Sequence, residues 1–269
     1  MADGNLGEMS FWDHVDALRG VLLRAGAVVL LMAIVFFAAM PEIFDRIILA
    51  PTRSDFCLYG LLASLGSVRG ITPDFNADFS VSLINIQLAS QFFIHISTSF
   101  WLALVFSFPI IIYLLWSFVA PGLYEREKRG ARTAFLFGNV MFFIGVAVGY
   151  FLVFPLTLRF LAGYQVSELV PNQISLDSYM DNFLMLILVM GIIFELPLLA
   201  WLLGKTGLLT RSFFSSYRRH AVVVLLILAA VVTPTGDPFT LTVVFLPIYI
   251  LWELSARFVP SHSHDTAAA

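Results

Sequence analysis

Apolar side chains dominate four stretches of this chain, residues 20–40, 98–119, 133–161 and 183–203. Each reaches the roughly 20 residues that a helix needs to cross a bilayer. A further apolar region, residues 221–258, is interrupted by Thr233-Pro234-Thr235-Gly236-Asp237-Pro238. It reads as two short spans, about residues 221–232 and 239–256, joined by a tight turn. The first is near the lower limit for crossing and suits a locally thinned bilayer. A single re-entrant hairpin is the alternative on length alone. The pattern predicts an all-α integral membrane protein with six transmembrane helices, forming one membrane domain over residues 1–269.

The polar positions between the runs add detail. Ser10 and Asp13 form a Ser-x-x-Asp helix start, and Phe11, Val15 and Leu18 follow at helical spacing. This predicts a short amphipathic helix over residues 10–19, lying on the membrane interface before the first span. The first apolar run is too long for the core of a cleavable signal peptide, and Arg19 and Arg24 flank or enter it. Residues 41–97 contain Pro51, Pro73 and several glycines. A connection of that length predicts short helices capping one face of the bundle. There is no internal repeat, which weighs against inverted-repeat transporter folds.

Composition sharpens the class. The chain is 59% hydrophobic and 12% charged, against about 25% charged in soluble domains. A net charge of −3 excludes a broad basic surface for nucleic acid. Eleven of the fifteen Lys and Arg residues fall before the first span or in the alternate connections after it, and the other four, Arg46, Arg53, Arg69 and Arg159, at the opposite end. That bias places both termini in the cytoplasm. The single cysteine, Cys57, excludes an intrachain disulfide, and no Cys/His cluster has metal-ligand spacing. No metal or cofactor is expected.

Few residues carry chemistry. Glu195 stands alone among acids and bases in the run 183–203, two residues before Pro197. A carboxyl at membrane depth is costly unless it faces a protein interior or a wet cavity, and Pro197 opens the local hydrogen-bond ladder beside it. It is either a structural carboxyl hydrogen-bonded within the bundle or part of a functional site. Glu125 and Glu127 sit among Arg126, Lys128, Arg129 and Arg132. These cations follow the positive-inside rule, and the acids could also receive a guanidinium in a bidentate pair. Asp13 and Asp16, beside His14, are either cap chemistry or a second acidic site. Asp237, between Gly236 and Pro238, reads as turn chemistry. No nucleophile–base motif or phosphate-cradling loop occurs, so the chain is not expected to be an enzyme.

Taken in order, these positions resemble the TatC family, receptor subunits of the twin-arginine protein translocase. The resemblance covers about residues 11–258. It rests on His14…Leu18-Arg19 before the first span and Phe118-x-Ala120-Pro121-x-Leu123-Tyr124-x-x-Glu127-Lys128-Arg129 after the second. Phe154-Pro155 in the third, Phe194-Glu195-x-Pro197 in the fourth and Thr233-Pro234…Asp237 in the last turn complete it. It implies a glove-shaped bundle with its concave face in the membrane. It implies that Glu127 binds the paired arginines of signal peptides at the cytoplasmic face, assisted by an N-terminal acid. Asp16, Leu18, Arg19, Phe118, Tyr124, Lys128 and Arg129 complete that candidate site. The family's usual N-terminal motif is His-Leu-x-Glu-Leu-Arg, so Asp16 stands one residue early, a turn of about 100° round a helix.

The same resemblance implies that Glu195, with Phe194 and Pro197, recruits single-span partners of the TatA/TatB type. Pro51 and Asp237 match further family positions. The implied partners are twin-arginine signal peptides of folded precursors, those single-span subunits, membrane lipids and other copies of the chain, with no nucleic acid. The implied setting is a bacterial-type inner membrane, with export driven by the proton motive force. The alternative is a secondary transporter of a small solute using Glu195 as a proton relay. The missing repeat and the presence of one deep acid weigh against it.

Overall fold

The computed structural model describes residues 11–62, 79–120, 125–167, 169–205, 209–233 and 235–259. Helix α1 is Phe11–Ile43, 33 residues without a break. The separate interfacial helix expected over residues 10–19 is therefore the first turns of α1. Nothing before Pro41 interrupts its hydrogen-bond ladder, and a lone Gly20 costs too little to end a helix. Helix α2 is Ser90–Val119, and α3 is Glu125–Val148. A π-type stretch, Gly149–Val153, carries α3 into α4, Phe154–Gly163. Helix α5 is Leu176–Ile193, and α6 is Leu196–Lys205. Helices α7 (Arg211–Ser216), α8 (Arg218–Val232) and α9 (Pro238–Phe258) follow.

Five stretches among the described residues are long and apolar enough to cross a membrane. Helix α8 is not among them: its 15 residues rise about 22 Å, short of a hydrocarbon core of about 30 Å. The chain is a multi-pass membrane protein.

Helix α5 is the centre of the bundle. Leu186 and Met190 are fully buried in a core shared with Val153, Phe154, Tyr179, Val244 and Ile248. Helix α1 packs along α2, α3 along α5, and α6 against α9. Glycines let α3 and α5 approach. A Cβ on Gly145 would stand 2.5 Å from the Met190 carbonyl oxygen, and one on Gly149 would stand 3.0 Å from Ile187 Cα. Small residues at such contacts are the usual means of close helix packing in lipid, where apolar surface alone drives no association.

One end of the bundle is capped by two connections. Pro41 cannot donate to the Phe37 carbonyl, and His95 Nε2–H of α2 donates to it instead, at 2.9 Å. The chain then passes through a π-type turn, Phe44–Ile48, and a 3-10 turn, Ala50–Thr52. Three tyrosine hydroxyls donate to the carbonyls of these turns: Tyr150 to Ile47 at 2.8 Å, Tyr179 to Ile48 at 2.5 Å and Tyr59 to Pro51 at 2.9 Å. Two short strands, β1 (Leu83–Ile84) and β2 (Ile174–Ser175), pair in parallel and join the two connections. Ser90 Oγ donates to Asp177 Oδ1 beside them. The Arg159 guanidinium lies 5.1 Å from the Tyr59 ring centre and 5.0 Å from that of Phe79. Short helical turns were expected here, and they form, together with a helical stretch over residues 57–62. The strand pair was not expected, because two-residue strands carry no readable alternation.

Candidate functional site

The apolar run around Glu195 folds as two helices with a turn between them. Proline lacks the N–H that would close the ladder onto Ile193, so α5 stops there and Phe194 and Glu195 form the turn. The Phe194 amide still donates to the Met190 carbonyl at 3.1 Å, but the Glu195 amide reaches back only to Ile192, at 3.0 Å. Leu199 then donates to the Glu195 carbonyl at 3.0 Å, and α6 continues. Phe194 is 7% exposed and Pro197 is buried. Both shape the turn from inside the protein. Glu195 is half-buried. Its Oε1 is buried with no hydrogen-bond partner among the described residues.

The surroundings explain where the carboxyl lies. It rests on α3 at Gly138, where a Cβ would stand 2.8 Å from Glu195 Oε2 and 2.5 Å from Leu198 Cδ2. Asn139, the next residue, donates from Nδ2 to the Phe135 carbonyl at 3.0 Å, while its Oδ1 is buried without a partner among the described residues. The sequence reading missed both residues. Gly138, Gly145 and Gly149 recur at helical spacings of seven and four, a signal that one face of α3 meets a neighbour closely.

The other candidates lie elsewhere. Asp16, Leu18 and Arg19 are exposed in the second and third turns of α1. Phe118 is half-buried near the end of α2. Glu127, Lys128 and Arg129 belong to the first turns of α3, where backbone alone is described, and Tyr124 lies outside the described residues. Acids in a first turn are favoured by the helix dipole. Pro51 is buried in the 3-10 turn beneath Tyr59.

Asp237 caps α9. Its Oδ1 accepts from the Thr240 amide at 2.8 Å, and its Oδ2 accepts from the Thr235 hydroxyl at 2.6 Å. Partial burial pushes this carboxyl up, but the hydrogen bonds outweigh it and hold its pKa below the ordinary value. Gly236, at φ +60°, supplies the left-handed residue the turn needs.

A second acid, Glu253, stands near the C-terminal end of α9, level with Arg218 at the start of α8. Arg218 grips it with a fork: Nε to Oε1 and Nη2 to Oε2, both 2.8 Å. Tyr249 OH adds a bond of 3.2 Å to Oε1. The pair clamps α8 to α9 and leaves no free carboxyl. No group of three or more His, Cys, Asp or Glu suited to a metal occurs among the described residues.

Comparison with known proteins agrees with this architecture. Residues 13–247 match the family described as Sec-independent protein translocase protein (TatC). The protein of that description from Blattabacterium is 33% identical over 250 residues, covering 92% of this chain and 94% of the relative. Its Helicobacter pylori (strain 26695) counterpart is 40% identical over 174 residues, 65% of this chain and 68% of the relative. Among solved structures, a crystal structure of the twin-arginine translocase receptor TatC in DDM superposes with a TM-score of 0.71 at 27% identity. That match covers 92% of this chain and 99% of the other. A second TatC crystal structure gives 0.67 at 26% identity, covering 91% and 97%. A family match across most of the chain, with a shared fold over nearly all of it, makes this protein a member of the TatC family.

Proposed function

We propose that this chain is the receptor core of a twin-arginine translocase in a bacterial inner membrane. In this reading it crosses the membrane six times, with the short helix α8 as the fifth span, a concave face within the bilayer and both termini in the cytoplasm. The excess of cations at the end where α1 and α3 begin supports that orientation. Glu127 receives the arginine pair of a signal peptide, and Asp16 in the N-terminal helix assists. Two planar guanidinium forks match carboxylates in a way a lysine pair does not. Glu195 docks single-span TatA/TatB-type subunits, and folded precursors are exported at the expense of the proton motive force.

The observation that carries the docking reading is the buried Glu195 Oε1, which finds no partner within the described residues. A buried polar atom is costly until something bonds it, and because Glu195 is only half-buried, a turn of its side chain brings the carboxyl to a second membrane helix. The proton-relay alternative draws no comparable support, since Glu253 is tied up by Arg218. The reading is tested by replacing the resident receptor of a bacterial host with this chain. Export of a folded reporter is measured with Arg-Arg and Lys-Lys signal peptides. The expected result is export of the first and loss of most export for the second, with Glu127→Ala abolishing both. Equal export of the two peptides would refute it.

A further inference from the structure

The glycines of α3 do two different things. At Gly145, and at Gly149 just past the end of α3, an added Cβ would meet backbone atoms or a ring-bearing carbon of α5 and the turn after it: the Met190 carbonyl oxygen, Phe194 Cβ and Ile187 Cα. Those atoms cannot move without moving the helix. At Gly138 it would meet two side-chain tips, Leu198 Cδ2 and Glu195 Oε2. Here the neighbours are the ends of two flexible side chains, the Leu198 methyl at 2.5 Å and the Glu195 carboxyl at 2.8 Å, and it is the carboxyl whose position bears on docking. Glycine inside a helix costs about 1 kcal/mol relative to alanine, so a bare position facing a carboxyl needs a reason. The carboxyl also has one oxygen against this bare backbone and the other, Oε1, buried without a partner among the described residues.

We infer that Gly138 is a positioning residue for Glu195: the uncovered backbone of α3 is a seat that sets where the carboxyl of this half-buried side chain lies, and so what a second membrane helix meets at the α5–α6 turn. The inference rests on the reading of Glu195 as a docking point and names the residue that sets its geometry. A methyl group at Gly138 fills the seat and pushes the longer glutamate side chain aside. An aspartate, one methylene shorter, fits above the methyl. The preference for Glu over Asp at residue 195 therefore depends on what occupies residue 138. If the glycine served only close packing, that preference would be the same with either residue.

The test uses four full-length chains: wild type, Gly138→Ala, Glu195→Asp, and the double variant. Site-specific crosslinking to the single-span subunit is measured in membranes, and accumulation of each chain is measured alongside. Gly138→Ala is expected to reduce crosslinking by about five- to a hundredfold. The double variant is expected to crosslink better than Gly138→Ala, although Glu195→Asp alone crosslinks worse than wild type. If Gly138→Ala fails to accumulate, the double variant is expected to accumulate where the single does not. The same order of Glu over Asp in both backgrounds, or failure of both chains carrying Gly138→Ala to accumulate, would overturn the inference.

A second readout separates the seat from the docking. Infrared bands of the Glu195 carboxyl, isolated by difference against Glu195→Gln in the purified chain, are expected to shift in Gly138→Ala with no partner present. Unchanged bands would overturn the seat. Crosslinking that survives Glu195→Ala would overturn the docking reading instead.

Discussion

The capped end of the bundle and the α5–α6 turn differ in how an opened backbone is met by side chains. At the capped end, Tyr59, Tyr150 and Tyr179 each donate to a carbonyl of the turns after α1, and Ser90 donates to Asp177. The irregular backbone there is matched with donors from three other parts of the chain. At the α5–α6 turn the ladder is opened by Pro197 and a carboxyl is brought in, yet its Oε1 is left without a bond among the described residues. The backbone of the first region is thus largely met from within the chain, although Thr157 Oγ1 and Asn182 Oδ1 beside it are buried without a partner among the described residues. The second is chemically unfinished in the single chain, which is the condition expected of a surface that is completed by another molecule. The seat at Gly138 fits the same contrast, since it provides room for the carboxyl and no hydrogen bond to it.

This contrast can be broken by substitution, beginning with the helix seam that both regions share. Gly145→Ala drives a methyl into the Met190 carbonyl. It is expected to cost about 1–3 kcal/mol or more of stability, seen as a lower unfolding temperature of the purified chain in detergent. Tyr179→Phe removes the donor to the buried Ile48 carbonyl, and the same measurement is expected to show a loss of about 1–3 kcal/mol. Glu195→Gln is its counterpart at the turn. With no bond among the described residues to lose, it is expected to change the stability of the isolated chain by no more than about 0.5 kcal/mol. A large loss there would mean that the carboxyl serves the fold.

Arg218→Ala breaks the Arg218–Glu253 fork, whose side chains are 57% and 35% exposed. Solvent screening limits the expected cost to about 0.2–1 kcal/mol, reduced further at high salt. The smallest effect is at Asp237. Its folded pKa lies below the ordinary value of about 4. Its capping contribution is therefore complete above that value and is lost as pH falls through the lower folded pKa. Unfolding temperature measured against pH is expected to fall more steeply at the acid end in the wild type than in Asp237→Asn, which caps without titrating.

The apolar runs gave away most of the helices, because roughly twenty apolar residues in sequence have few other uses. Their ends were harder to read. Helix α2 begins at Ser90, several residues before the apolar run, since Ser90 and His95 are polar residues used for contacts at the capped end. The amphipathic segment merged with the first span because only a proline or a competing cap would have parted them, and Pro41 comes far too late. Glu195 was legible as an energetic anomaly. Gly138 was not, since a seat is defined by what packs on it and that residue comes from another helix. Glu253 was missed because its partner Arg218 stands 35 residues away and counts, in a tally of loop charges, as a surface cation.

The central claim is that substrate recognition and partner docking sit on separate carboxylates. It is tested most directly by site-specific crosslinking in membranes of a twin-arginine precursor and of the single-span subunit, in parallel, to the Glu127→Ala and Glu195→Ala chains. The account predicts that Glu127→Ala loses the precursor and keeps the subunit, and that Glu195→Ala loses the subunit and keeps most of the precursor. Equal loss of both contacts in either variant, or loss of neither, would contradict it.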